Sequence, residues 1–297
     1  MLDPIQLRTL ATVVREGSFE RAAALLHVTP SAVSQRIKAL EERAGTVLVR
    51  RGQPCSATDA GARLCRHAET LALLEQRLHQ ELPGLPDDEP GARPVLRLAV
   101  NADSLATWFV DALAGLDPGD ALLVDLSTAD QDLTADWLRR GQVLGAVTAQ
   151  AEPVPGCRSL RLGALRYRAT ASPAFMARWF PQGVDAAHLA AAPSLRFGHE
   201  DQLQTRWVRR LLRRDLALPA HRLPSTHAFV DATLAGVGWG LNPEPLVHEH
   251  LRAGRLVELV ADRPLDVTLH WQVAELELPA LERLTAAVRR AAARALR

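Results

Sequence analysis

Ser18-Phe19-Glu20-Arg21-Ala22-Ala23-Ala24-Leu25-Leu26-His27-Val28-Thr29-Pro30-Ser31-Ala32-Val33-Ser34-Gln35-Arg36-Ile37-Lys38-Ala39-Leu40 decides the reading of this chain. Ser18 is placed as the N-cap of a short Ala/Leu-rich helix, and His27-Val28 forms a turn. Thr29-Pro30 supplies the next N-cap, followed by proline at the first helical position, where its missing N–H costs nothing. Val33, Ile37 and Leu40 then recur at helical spacing on one face, and Ser31, Ser34, Gln35 and Lys38 fall on the other. A solvated helix face normally carries Glu/Lys pairs. Hydroxyls, an amide and one cation instead suit a helix in a DNA major groove, where amides and hydroxyls read base edges and cations hold phosphates. An ordinary helical hairpin in an all-α domain is the competing reading.

The flanks favour DNA. Leu48-Val49-Arg50-Arg51-Gly52-Gln53-Pro54 reads as a small β-hairpin, a wing whose Arg50 and Arg51 can touch phosphate. Residues 1–66 carry ten basic and six acidic side chains in a chain whose formal net charge is only +1. That modest local excess predicts salt-sensitive nonspecific binding. A winged helix-turn-helix over 1–58 is therefore expected, with Thr29, Ser31, Ala32, Ser34, Gln35, Arg36, Lys38, Arg50 and Arg51 as the DNA-contacting set.

Thr58-Asp59-Ala60-Gly61 caps a further helix, 59–82. Leu64, Ala68, Leu71, Leu74 and Leu78 recur along it in steps of three and four, with Leu82 at its end. Such a stripe can lie on its own domain. On a helix joining a small DNA-binding domain to a linker, it predicts dimerisation, hence two half-sites and a pseudo-palindromic operator on double-stranded DNA. Residues 83–94 pack four Pro, two Gly and three acids, a composition that propagates neither helix nor sheet and reads as a hinge. Beyond it, apolar runs at 95–100, 121–126, 143–148, 166–171, 237–241 and 267–274 alternate with helical stretches, predicting an α/β unit with a mostly parallel sheet.

In such units ligands bind where strands end and helices begin. Asn101-Ala102-Asp103-Ser104-Leu105-Ala106-Thr107 is one such turn, and Ser127-Thr128-Ala129-Asp130 begins another. The Ser104 and Thr107 hydroxyls suit a carboxylate, and Asp103 suits an ammonium. Together with Asn101, Thr128 and Asp130 they suggest a zwitterion with a cationic side chain, although Asp and Ser at helix starts more often serve only as caps.

The sequence resembles the LysR-type transcriptional regulators. Gly17–Ala23, Leu26–Glu41, Leu48 to Arg51 and Thr58-Asp59-Ala60-Gly61 carry the likeness. The common family pattern has Ser-Gln-Pro where this chain has Thr29-Pro30-Ser31. Val28–Glu41 looks like the lysine- and arginine-responsive ArgP/LysG branch. That likeness continues through Val100–Trp108, Asp130-Gln131-Asp132, Gly145–Thr148, Pro224-Ser225 and Ala228-Phe229.

The resemblance implies a periplasmic-binding-protein-like effector domain, 95–297, of two α/β lobes: 95–165 with 268–297, and 166–267. It adds Thr148, Asp201 and Thr226 to the effector set and implies lysine or arginine as effector. It further implies a homodimer or homotetramer, control of transport, export or metabolism genes, and RNA polymerase as a further partner. A ligand-independent architectural DNA binder, or a regulator with another effector, are the alternatives.

Enzyme readings find little support. Gly236-Val237-Gly238-Trp239-Gly240 follows a helix and enters a strand, the reverse of a dinucleotide loop. There is no G-x-S-x-G or H-E-x-x-H, and His248 and His250 lack a carboxylate or Cys frame. No catalytic residue, metal or cofactor is expected. Three cysteines (Cys55, Cys65, Cys157) without a C-x-x-C pair fit a reducing compartment. The N-terminus lacks the pattern of a signal peptide, and no apolar run reaches the roughly 20 residues of a membrane span. A cytoplasmic protein without membrane contact is expected.

Overall fold

The structure is a computed structural model that describes residues 2–82, 95–116, 123–129, 134–139 and 142–297. The expected hinge 83–94 lies outside these residues, as does Asp130.

The N-terminal part comprises α1 (Pro4–Glu16), α2 (Phe19–Leu25), α3 (Pro30–Ala44), the hairpin β1 (Val49–Arg50) and β2 (Ser56–Ala57), and α4 (Asp59–Glu81). Three of its helices begin where side-chain caps were expected. Ser18 Oγ accepts from Arg21 N at 3.2 Å, Thr29 Oγ1 from Ala32 N at 3.2 Å, and Thr58 Oγ1 from Gly61 N at 3.1 Å. Leu7, Leu10, Val13, Ala22, Ala23, Val33, Ile37, Leu40, Leu48 and Val49 form one core. The wing is tied to α3 by Glu41, whose Oε1 accepts from Leu48 N at 2.8 Å and Val49 N at 3.3 Å. Burial pushes the Cys65 thiol up to about 12, so this cysteine is a packing residue and not a nucleophile.

Gly61 lets the first turn of α4 pass against the wing, because a Cβ there would stand 2.0 Å from the Leu48 carbonyl oxygen. Alanine normally improves a helix by up to about 1 kcal/mol over glycine. Here the clash with backbone outweighs that gain, and Gly61→Ala is expected to destabilise the winged domain by about 2 kcal/mol net. Thermal melting tests this; an unchanged or raised midpoint would refute the close approach.

The effector half continues with β3 (Val95–Asn101), then α5 (Ala102–Ser104), a π-helical turn (Leu105–Phe109) and α6 (Val110–Ala114). The wider π turn carries Trp108 and Phe109, both buried, with their rings edge-to-face at 5.6 Å. Next come β4 (Leu123–Ala129), α7 (Thr134–Arg139), β5 (Gly145–Thr148), β6 (Cys157–Ala171), α8 (Pro173–Trp179), α9 (Ala186–Ala191) and β7 (Ser194–Arg196). The chain closes with α10 (Leu203–Leu212), β8 (Ala220–Arg222), α11 (Thr226–Leu234), β9 (Gly240–Pro243), α12 (Glu244–Arg252), β10 (Val257–Glu258), β11 (Leu265–Ala274) and α13 (Pro279–Ala295).

Among the described residues the main sheet runs β10-β6-β11-β5-β3-β4, with β9 also on β6. Its β3–β4 and β3–β5 pairs are parallel; β6–β9, β6–β10, β6–β11 and β5–β11 are antiparallel. The sheet is therefore mixed, not mostly parallel as expected. The reason is β6, which starts nine residues earlier than the apolar run at 166–171 indicated. It pairs with β11 from Cys157↔Ala274 to Tyr167↔Leu265. Its early residues, Arg158 and Arg161 among them, are too polar to read as a strand. On β11, Trp271 packs beside Phe109 and donates from Nε1 to Thr285 Oγ1 of α13 at 3.1 Å.

The two halves meet along α4. Leu73 joins the core of the effector half, and Glu69 pairs with Arg97 of β3 at 2.9 Å. Burial raises the Glu69 carboxyl above its ordinary value, while Arg97 opposes that shift.

Candidate functional sites

On α3 the reading face is presented as expected. Val33, Ile37 and Leu40 are buried, Thr29, Ser31, Gln35 and Lys38 are exposed, and Ala32, Ser34 and Arg36 are half-buried beside them. Thr29 has a structural duty as N-cap, so only its remaining surface is free for a partner. Lys38 lies 3.8 Å from Glu42 in an open i,i+4 pair, weak enough to yield to a phosphate. On the wing Arg50 and Arg51 are exposed, and the Arg51 guanidinium lies over the Phe19 ring at 5.6 Å. That stacking ties the wing's charge to the start of α2.

The leucine stripe of α4 is divided by the fold. Leu64, Ala68 and Leu71 pack against the N-terminal core of their own chain. Leu74 and Leu78 stay open, at 45% and 46% exposure, and Leu82 at 52%. Three of the five residues assigned to a partner helix thus have an intramolecular neighbour, because α1 lies against α4.

The second site is a cavity of about 460 Å³ in the effector half, walled by Asn101, Ala102, Asp103, Phe197, Asp201, Leu203, Thr226, Phe229, Leu241, Asn242 and Pro243. β3 delivers Asn101 and the following turn delivers Asp103. The Asp103 carboxylate accepts from Tyr167 Oη at Oδ2 and from Thr226 Oγ1 at Oδ1, both at 2.8 Å. Burial pushes its pKa up; the two hydrogen bonds pull it down, and Asp201 pushes it up again. Asp201 is 5% exposed and accepts from Phe197 N at 2.9 Å and Leu203 N at 3.0 Å, which fixes the loop ahead of α10. Gly240 makes room for the cavity's aromatic wall, since a Cβ there would stand 2.3 Å from Phe229 Cε1.

Two carboxylates and two aromatic rings thus share a cavity with no Lys, Arg or His among its wall residues. This arrangement suits a cation on an aliphatic stem.

Of the expected effector residues, Asn101, Asp103, Asp201 and Thr226 come together on this wall. Thr107 does not, because its hydroxyl donates to the Asp103 carbonyl at 2.6 Å within its own helical turn. Ser104 and Thr148 are fully buried off the wall, and Thr148 Oγ1 accepts from Gln150 N at 3.1 Å. Thr128 is exposed on β4. Sequence reasoning missed Tyr167, Phe197, Phe229 and Asn242. A single Asn in the apolar run Gly240-Leu241-Asn242-Pro243 was the available signal for the last.

A DNA-reading winged helix coupled through one long helix to a ligand cavity is the plan of a ligand-responsive DNA-binding regulator. Residues 5–62 match the model of bacterial regulatory helix-turn-helix proteins of the lysR family, and residues 90–293 match the LysR substrate binding domain. This chain belongs to the LysR family. It is 48% identical over 291 residues to the HTH-type transcriptional regulator LysG of Mycobacterium tuberculosis (strain ATCC 25618 / H37Rv), covering 98% of this chain and 94% of that protein. The crystal structure of ArgP from Mycobacterium tuberculosis superposes with a TM-score of 0.84 at 46% identity, covering 100% of this chain and 99% of that one. Full-length LysG from Corynebacterium glutamicum with bound effector Arg gives 0.70 at 39% identity over 100% of both chains. The family is regulatory, not enzymatic. No helix among the described residues is long and apolar enough to cross a membrane.

Proposed function

We propose that this protein is a cytoplasmic transcriptional regulator that senses a basic amino acid, lysine or arginine, and controls genes for its transport, export or metabolism. The acid-lined cavity without a basic wall residue is the observation that carries the ligand class. The bound arginine of the Corynebacterium glutamicum relative supports it. DNA contact is assigned to Thr29, Ser31, Ala32, Ser34, Gln35, Arg36, Lys38, Arg50 and Arg51, on a pseudo-palindromic operator. The open Leu74, Leu78 and Leu82 ridge of α4 is assigned to a second copy in a dimer or tetramer, with RNA polymerase as a further partner.

Lobes 95–165 with 268–297, and 166–267, are joined through β6 and β11 and flank the cavity. Their closure on a ligand shifts the spacing of paired DNA-binding domains, provided the ligand binds the two arrangements unequally.

A thermal-shift panel of the full chain against all twenty amino acids tests this reading. Ligand at about 100 times its Kd stabilises by about 2.7 kcal/mol, a rise of roughly 5–10 °C for a domain of this size. Shifts confined to lysine and arginine are expected; a flat panel, or one led by acidic or neutral amino acids, overturns the ligand class.

A further inference from the structure

Asn242 is fully buried in β9, and its neighbours' protons decide its orientation. Thr233 donates its one hydroxyl proton to the Phe229 carbonyl at 2.8 Å. The 3.2 Å contact between Thr233 Oγ1 and the Asn242 side chain must therefore be donated by Asn242 Nδ2. The same nitrogen donates to Thr170 Oγ1 at 2.9 Å, so both amide protons are used. The carbonyl Oδ1 is left buried and without a partner, on a residue of the cavity wall. Asn101 repeats the pattern from β3. It occupies the N-cap position of α5 yet makes no capping bond, and at 2% exposure its Oδ1 is also buried and unpartnered. Buried polar groups are nearly always paired, so two orphaned carbonyls on one cavity wall call for donors from outside the chain.

We propose that the cavity selects a guanidinium over a primary ammonium, with Asn101 and Asn242 as the specificity-determining acceptors. The proposal rests on the reading of this cavity as a basic-amino-acid site. A guanidinium holds five N–H donors in a planar fork, whereas an ammonium has three on one atom. A carboxylate such as Asp103 or Asp201 takes two guanidinium donors side by side, leaving three directed outward in the same plane. Those reach acceptors that an ammonium, converging on a single point, leaves bare. A site built around acceptors discriminates strongly against a ligand that cannot fill them.

Calorimetric titration of the full-length protein with L-arginine, L-lysine and L-citrulline, the neutral isostere of arginine, tests the proposal. Arginine is expected to bind at least about ten-fold more tightly than lysine, and citrulline at least about ten-fold more weakly than either. Asn101→Ala removes no observed side-chain hydrogen bond of the ligand-free fold. It is expected to weaken arginine by about ten-fold and lysine much less, so the ratio narrows. Asn242→Ala should narrow it likewise; if the loss of its bonds to Thr170 and Thr233 prevents folding, Asn101→Ala decides alone. Equal affinities in the unmodified protein, or an unchanged ratio in Asn101→Ala, overturn the selectivity and leave the basic-amino-acid reading standing. Failure of every basic amino acid to bind overturns both.

Discussion

Asp103→Asn is expected to remove the response to basic amino acids while the protein stays folded. The substitution keeps the shape of the side chain and partners for Tyr167 and Thr226, but it deletes the charge. Truncating one partner of a buried charge pair costs about 2–5 kcal/mol, which is at least about 30-fold in Kd. Calorimetry with arginine and lysine reads this directly, and an affinity within about three-fold of the unmodified protein would remove Asp103 from the site.

The raised pKa of Asp103 adds a pH signature with a definite sign. In the ligand-free fold, burial makes the carboxyl hold its proton more tightly than in the unfolded chain. The stabilisation this group contributes is therefore fully present below the ordinary carboxylate value and is lost as pH rises through the raised one. A cationic ligand favours the ionised form, so its binding weakens as pH falls through that raised value. Ligand-free Asp103→Asn should lack the corresponding fall in stability on the alkaline side. A ligand affinity that stays flat from pH 8 downward into the acidic range would place the cation elsewhere.

Joint replacement of Gln35 and Lys38 by Ala is expected to be the most damaging change to operator binding that leaves the fold intact. Both side chains are exposed, and neither belongs to the N-terminal core, so stability should move by less than about 0.5 kcal/mol. A lost base contact costs about 1–3 kcal/mol for each half-site. A lost phosphate contact lowers the salt dependence of log K by about one unit for each lysine removed. Fluorescence anisotropy on a native promoter fragment at two salt concentrations separates the contributions. Unchanged affinity and slope would mean that another face of α3 reads the operator.

What could be read from the sequence follows how far apart the interacting residues lie. Ser18, Thr29 and Thr58 were legible as caps because each bonds an amide three residues on. The two faces of α3 were legible because helical geometry assigns them whatever surrounds the helix. Asp103 was legible as a candidate because it follows a buried strand at the turn into a helix. Its partners were not, since Tyr167 lies 64 residues away and Thr226 lies 123 away. Thr107 looked available for the same local reason as Asp103, but its own helix had already taken its hydroxyl.

The α4 stripe shows the same limit. Leu64, Ala68 and Leu71 repeat at the spacing of Leu74 and Leu78, yet the first three meet α1 of their own chain and the other two face outward. Periodicity states that a face is apolar without naming what covers it. The sequence alone determined the winged helix-turn-helix, its reading face, the long connecting helix and the acidic turn after β3, because capping, helical period and turn chemistry act between near neighbours. Only the tertiary structure decided the mixed sheet, the pairing of β6 with β11, and the wall that joins Asp103 to Asp201, Asn101 and Asn242. Those contacts arise between strands and loops far apart in the chain, where packing and the pairing of buried polar groups choose the partner.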